Sequence, residues 1–165
     1  MNIVNVRVDD RLVHGVVATT WIPKLQIERV IVIDKESAEN PVMKNILRMA
    51  TPTNVRLSVL TPEKAISNLK VDRYGMERLM IVIKELEVLI ELSNHDIAIE
   101  KCTMGNYGNI NRTNGIAITK YLTVDESSAK KVIYLHDQGL KLIAQLVPDD
   151  QPQDFYQLMN AKIKK

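Results

Sequence analysis

The run Arg29-Val30-Ile31-Val32-Ile33 is the strongest constraint in this sequence, because its β-branched side chains are apolar on both faces of any strand they form. A strand of that kind needs cover above and below, which a parallel sheet sandwiched between helices supplies. The run is also short, as is Leu79 to Ile83, against the roughly 20 residues of a membrane-crossing helix, so no bilayer span is expected. Asp34 closes the first run.

Strand-like and helix-like segments alternate around it. Ile3 to Val8 alternates apolar and polar residues and enters the charged triplet Asp9-Asp10-Arg11, which predicts a strand running into a loop. Val16, Val17, Trp21 and Leu25 recur near helical spacing, with Pro23 expected to end or bend that helix early. Ser37 to Ala50 predicts a helix burying Met43, Ile46, Leu47 and Ala50, with Pro41 tolerated near its first turn. Val55 to Leu60 reads as a third strand, and Thr61-Pro62 opens a helix with a capping hydroxyl before an N1 proline, its buried face made by Ala65, Ile66 and Leu69. Leu79 to Ile83 is the fourth strand, followed by a helix through Leu86, Leu89, Ile90 and Leu92. Asp96 to Thr103 is expected as strand five.

Met104 to Asn114 carries Gly105, Gly108 and four asparagines (Asn106, Asn109, Asn111, Asn114) without apolar period, and reads as a long loop. Gly115 to Val124 is extended, Asp125 to Gln138 helical, Leu140 to Leu146 a last strand, and Phe155, Leu158 and Met159 mark a final helix. The order predicts an α/β fold: an open, mainly parallel sheet of about six to seven strands with helices on both faces, the last strand or strands being the place for an antiparallel exception. No repeat or composition break divides residues 1–165, so one domain is expected. Ligands of such sheets sit beyond the carboxyl ends of the strands. That directs attention to the loops at Asp9 to Gly15, Asp34 to Asn40, Lys84 onward and Met104 to Asn114.

Composition narrows the function. Twenty-two Lys and Arg against 20 Asp and Glu leave a formal charge of +2, too small an excess to drive polyanion binding, and one Trp, one Phe and five Tyr offer few rings to stack on bases. A nucleic-acid partner is not expected. The single cysteine, Cys102, forms no internal disulfide or thiolate cluster, which suits a reducing compartment, and Met1 to Val6 reads as a strand rather than an export signal. The cytoplasm is the expected setting.

The loop Asp9-Asp10-Arg11-Leu12-Val13-His14-Gly15 gathers two carboxylates, a guanidinium and an imidazole just before a helix start. Neutral imidazole accepts a phosphoryl group reversibly through a P–N bond, an arginine clamps its oxygens, and amides reached past Gly15 add donors. A carboxylate holding one ring nitrogen as N–H leaves the other bare to attack. On residue types alone, an Asp10–Arg11 ion pair capping a turn beside an idle His14 explains the segment equally well.

Val6-Arg7-Val8-Asp9-Asp10-Arg11-Leu12-Val13-His14-Gly15, with Trp21 seven residues after the histidine, closely resembles the active-site segment of the IIB proteins of the mannose/sorbose family of the bacterial sugar phosphotransferase system. Asp34 with Ala38-Glu39-Asn40-Pro41, Thr61-Pro62, Met104-Gly105, Thr123-Val124-Asp125-Glu126 and Gln145-Leu146-Val147-Pro148 extend the likeness over essentially the whole chain. The resemblance implies that His14 is the phosphorylated residue, on Nδ1, positioned by Arg11 and the Asp10 side of the loop, with the backbone amides of Gly15 and Val16 binding the phosphoryl group. It implies a phosphorylated IIA donor, membrane IIC and IID partners that bind the sugar, membrane association only through those partners, and no metal or organic cofactor. The alternative is a IIB-like module that docks IIA or senses phosphorylation without feeding sugar transport. Two positions depart from the family pattern: Val16 stands where Gln usually follows His-Gly, and Gly105-Asn106-Tyr107-Gly108 replaces a usual Gly-Gly pair.

Other candidates read as structural. His95 lies on the amino side of the sheet, His136 has no second ligand at helical spacing, and Cys102 alternates with core residues. Asp34 invites a ribose contact, but the first loop lacks the glycines that would cradle a pyrophosphate, leaving it a structural or site-shaping residue. Trp21 reads as packing, with Thr19 and Thr20 at the edge of its helix.

Overall fold

The computed structural model describes residues 1–108 and 114–164. Seven strands form one sheet in the order β3-β2-β4-β1-β5-β8-β9. They are β1 (Asn2–Val8), β2 (Arg29–Ile33), β3 (Arg56–Leu60), β4 (Arg78–Ile83), β5 (Lys101–Met104), β8 (Lys141–Ala144) and β9 (Gln153–Asp154). All pairings are parallel except β8 with β9, so the antiparallel exception falls on the last strand. A two-stranded antiparallel ribbon, β6 (Ile116–Ala117) and β7 (Thr123–Val124), stands apart.

The sheet is covered on both faces, as the doubly apolar runs require. On one side Ile31, Ile33, Leu79, Ile81 and Ile83 pack with Ala65 and Leu69 of α4 (Pro62–Lys70), Leu86, Leu89 and Leu92 of α5 (Leu86–Asn94), Val132 and Leu135 of α6 (Glu126–Asp137), and Phe155 and Met159 of α7 (Phe155–Ile163). On the other, Val30, Val32, Met80 and Val82 meet Val17, Trp21, Ile22 and Leu47. Central β4 is buried from Leu79 to Ile83 without a break, each such side chain contributing roughly 1.5–3 kcal/mol relative to exposure.

The helix after the first loop ends early, one residue past Pro23, as expected. Val17–Trp21 is wound as a π-helix and passes into α1 (Ile22–Lys24). Widening that turn lets the proline ring, which lacks an N–H and would collide with the carbonyl four residues back, follow without breaking the chain. Thr19 and Thr20 donate their hydroxyls to the carbonyls of Gly15 and Val16 at 2.7 and 2.5 Å, which the widened turn leaves without their usual amide donors.

Two boundaries and one buried position differ from expectation. The helix expected over Ser37 to Ala50 is two, α2 (Lys35–Glu39) and α3 (Pro41–Ala50), split at Asn40. A residue before proline is pushed out of helical geometry, and the Asn40 side chain then caps α3 by accepting from the amides of Val42 and Met43. Leu47 carries the buried contact with Met43 and Ala50 half-buried, as expected, but Ile46 is 51% exposed, so the apolar face is narrower than expected. Strand five begins only at Lys101, because Asp96 adopts φ +61 after α5 and Ile97 returns its amide to Leu92. Of the long asparagine loop, Asn109 and Asn111 lie outside the described residues.

β1 leads away to β2 on one side, whereas β5 leads to β8 on the other. The chain therefore parts above the carboxyl ends of β1 and β5, and a crevice forms at such a switch point.

Candidate active site

The polar phase of β1 is buried. Val6 and Val8 enter the core under α4 to α7, so Asn5, Arg7 and Asp9 point to the other face by the two-residue period of a strand. Arg7 and Asp9 are both fully buried. Burial on this scale is tolerated only when every charge and lone pair is satisfied, and here they are. The Arg7 guanidinium donates from Nε to Asp9 Oδ2, from Nη1 to the Gln145 carbonyl and from Nη2 to the Leu146 carbonyl, each at 3.1 Å. Its plane lies 5.0 Å from the Trp21 ring centroid, and the Trp21 indole donates to the same Leu146 carbonyl at 2.8 Å. Burial lowers the Arg7 pKa despite the opposing charge of Asp9.

Asp9 is the hub. Its Oδ2 takes the His14 imidazole at Nε2, 3.1 Å away, its Oδ1 accepts from the Arg11 amide at 3.1 Å, and the Asn106 amide group donates to both oxygens at 3.3 and 3.4 Å. Burial pushes this carboxyl up, but the hydrogen bond from His14 and the charge of Arg7 outweigh it, and Asp9 sits below its ordinary value. An ionised carboxylate is acceptor only, so His14 Nε2 carries the proton and Nδ1 of the neutral ring is bare.

The backbone turns sharply to make this approach. Leu12 returns its amide to the Asp9 carbonyl at 2.9 Å and adopts φ +55 with its side chain buried, a left-handed conformation that costs a leucine energy and is held by the packing around it. His14 then sits at the mouth of the following helix, whose first backbone bond runs from Ala18 to the His14 carbonyl at 2.9 Å. Among the described residues the amides of Gly15 and Val16 find no acceptor, and nothing lies within 4 Å of where a Gly15 Cβ would stand. An anion at this helix start meets free N–H donors.

The loop after β5 grips the first loop from the side. Asp10 donates its amide to the Asn106 carbonyl at 2.8 Å, and its carboxylate accepts from the Gly108 amide at 2.6 Å. The carboxylate on the imidazole is thus Asp9 and not the neighbouring Asp10, whose own carboxylate fastens the two loops. The segment Gly105-Asn106-Tyr107-Gly108, which departs from the family pattern, supplies the Asn106 contact to Asp9.

A family model described as the sorbose-subfamily IIB component of the phosphotransferase system matches residues 3–165. The chain belongs to this family. Relatives of this IIB component include the fructose-specific EIIB component of Bacillus subtilis, 29% identical with 96% of each chain covered, and the sorbose-specific EIIB component of Lacticaseibacillus casei, 27% identical over 90% of this chain and 89% of that one. The crystal structure of the IIBSor domain of the Klebsiella pneumoniae sorbose permease superposes with a TM-score of 0.90 at 24% identity, covering 98% of each chain, a likeness of fold. The family role is phosphoryl transfer within a sugar phosphotransferase system that works with IIA and membrane components.

In this IIB component Arg11 is exposed, and its guanidinium makes no hydrogen bond or ion pair among the described residues. Val16, in the usual place of Gln, is half-buried and packs beside the π-helical turn. Asp34 caps α2 by accepting from the Ser37 amide and hydroxyl. His95 bonds the Glu91 carbonyl, and His136 stacks on Tyr156 with ring centroids 3.6 Å apart. Cys102 is fully buried, its thiol pushed up to about 12 by that burial. Among the described residues no three His, Cys, Asp or Glu side chains gather as a metal site needs, and no helix is long and apolar enough to cross a membrane.

Sequence reasoning missed Arg7, Asn106 and the carbonyls of Gln145 and Leu146. Arg7 had one signal: it shares the phase of Asn5 and Asp9 on β1.

Proposed function

We propose that His14 Nδ1 accepts a phosphoryl group from a phosphorylated IIA protein and passes it to a sugar held by membrane IIC and IID partners, residues 1–165 acting as one cytoplasmic IIB domain. The carrying observation is the 3.1 Å contact of His14 Nε2 with buried, ionised Asp9, which leaves one ring nitrogen bare beside unpartnered amides. In the first step the Nδ1 lone pair attacks phosphorus, the donor's P–N bond breaks, and its electron pair returns to the donor ring. The phosphorylated imidazole keeps its Nε2 proton and a positive charge, which Asp9 stabilises, so the ring stays a good leaving group. In the second step a sugar hydroxyl oxygen attacks phosphorus, the P–N pair returns to Nδ1, and the hydroxyl proton goes to a base or water on the acceptor side.

Arg11 is free to clamp the equatorial phosphoryl oxygens, the Gly15 and Val16 amides donate to them, and Asp10 holds the loop. Such transfer needs little beyond positioning and charge stabilisation. Incubation with the phosphorylated general proteins of the system and a cognate IIA tests the reading by intact mass and phosphorus NMR. One acid-labile, alkali-stable phosphoryl group on the wild type and none on His14→Ala is the expected result. IIA binding without phosphate uptake by the wild type overturns it in favour of a sensing module.

A further inference from the structure

On the face opposite the Trp21 side, between α4 and the β2–β3 edge of the sheet, lies a second cavity of about 350 Å³, within the size range of small-molecule sites. Its polar groups are unevenly spent. Asn68 is 6% exposed and donates to the Tyr74 hydroxyl at 3.0 Å, while its Oδ1 takes no donor among the described residues and keeps access to solvent at the cavity wall. Turning the Asn68 amide over only exchanges which of its atoms is unmet. An acceptor that opens into a polar cavity is met by water, or by a ligand hydroxyl that takes the water's place.

The charge of the lining is specific as well. Glu77 is occupied, accepting from Arg29 at 2.6 Å and Arg56 at 2.5 Å, and Arg29 also donates to Ser58 at 2.9 Å. Lys64 and Arg73 also line the cavity and have no ion pair among the described residues. The surplus is therefore cationic, next to a cluster of hydroxyl and amide groups. Tyr74 offers no open ring face, being 9% exposed with the Arg29 guanidinium 5.0 Å over its ring, so a planar base has nowhere to stack.

We propose that the Lys64–Asn68–Arg73–Tyr74 cavity binds a small, non-aromatic phosphate ester bearing several hydroxyls, the chemistry of a sugar phosphate, at a site separate from His14. The phosphate sits at Lys64 and Arg73, and the hydroxyls meet Asn68 Oδ1 and the Tyr74 and Ser58 hydroxyls. This does not rest on the His14 reading, since binding requires no phosphoryl transfer.

Titrating the ¹⁵N-labelled full chain with a hexose 6-phosphate tests it, with inorganic phosphate, free hexose and adenosine monophosphate as comparisons. Saturable shifts confined to amides around residues 58–77, with each comparison ligand binding about tenfold more weakly or worse, are expected. Lys64→Ala with Arg73→Ala, both exposed positions that leave folding intact, weakens the hexose phosphate about tenfold or more. Absence of saturable shifts, shifts centred on residues 9–16, equal binding of inorganic phosphate or adenosine monophosphate, or unchanged affinity in the double variant overturns the proposal.

Discussion

Gly105 lies so close under Arg7 that a Cβ at this position would stand 2.0 Å from the guanidinium Nη2 and 2.7 Å from Asp9 Oδ2. The missing side chain is what allows a buried arginine to cross from β1 to the carbonyls of Gln145 and Leu146. Gly105→Ala is expected to drive Arg7 off Asp9. Parting one partner of a buried ion pair costs roughly 3–5 kcal/mol, read as a lower denaturation midpoint. The lone Trp21, packed on the same guanidinium, reports the shift by its emission. An unchanged midpoint and spectrum would show that the backbone yields instead.

Asp9 links stability to pH. Its folded pKa lies below the ordinary 3.8, so the unfolded chain binds its proton first as pH falls. The stabilisation is complete above the ordinary value and is lost as pH drops through the lowered one. Urea midpoints of the wild type are expected to fall below about pH 4. Asp9→Asn is less stable at neutral pH and lacks this component of the acid slope. It also slows phosphoryl transfer, by on the order of 10²–10⁴ if the imidazole orientation behaves as in other carboxylate–histidine pairs. Parallel acid slopes in the two proteins would remove Asp9 from the linkage.

Arg11 contrasts with Arg7. It is exposed and unpaired among the described residues, so Arg11→Ala leaves stability within about 0.5 kcal/mol while transfer falls by on the order of 10³-fold if it clamps the phosphoryl oxygens. Rapid-quench kinetics and a melting curve on one preparation separate the two effects. Wild-type kinetics in the variant would take Arg11 out of the mechanism.

Cys102, raised to about 12 by burial, presents almost no thiolate and no access in the native state. A disulfide-exchange reagent at pH 8 is expected to label it at the rate of unfolding, independent of reagent concentration. Fast, concentration-dependent labelling would mean β5 opens locally.

The alternation of strand and helix segments and the mainly parallel sheet were readable from periodicity, because a two-residue alternation and a helical repeat are local properties of the chain. Local reading also found the Thr61 cap and the early helix end at Pro23. Which carboxylate serves His14 was not readable: Asp9 and Asp10 are adjacent and chemically alike, and only the left-handed turn at Leu12 and the pull of Asn106, 97 residues away, turn Asp9 inward. Alternation along β1 groups Asn5, Arg7 and Asp9 on one face but does not say whether that face is wet. The neighbours decide it. Arg7 is held by carbonyls 138 and 139 residues distant, brought to it because β5 and β8 pack alongside β1, and a buried charge is stable only where such distant groups complete its hydrogen bonds.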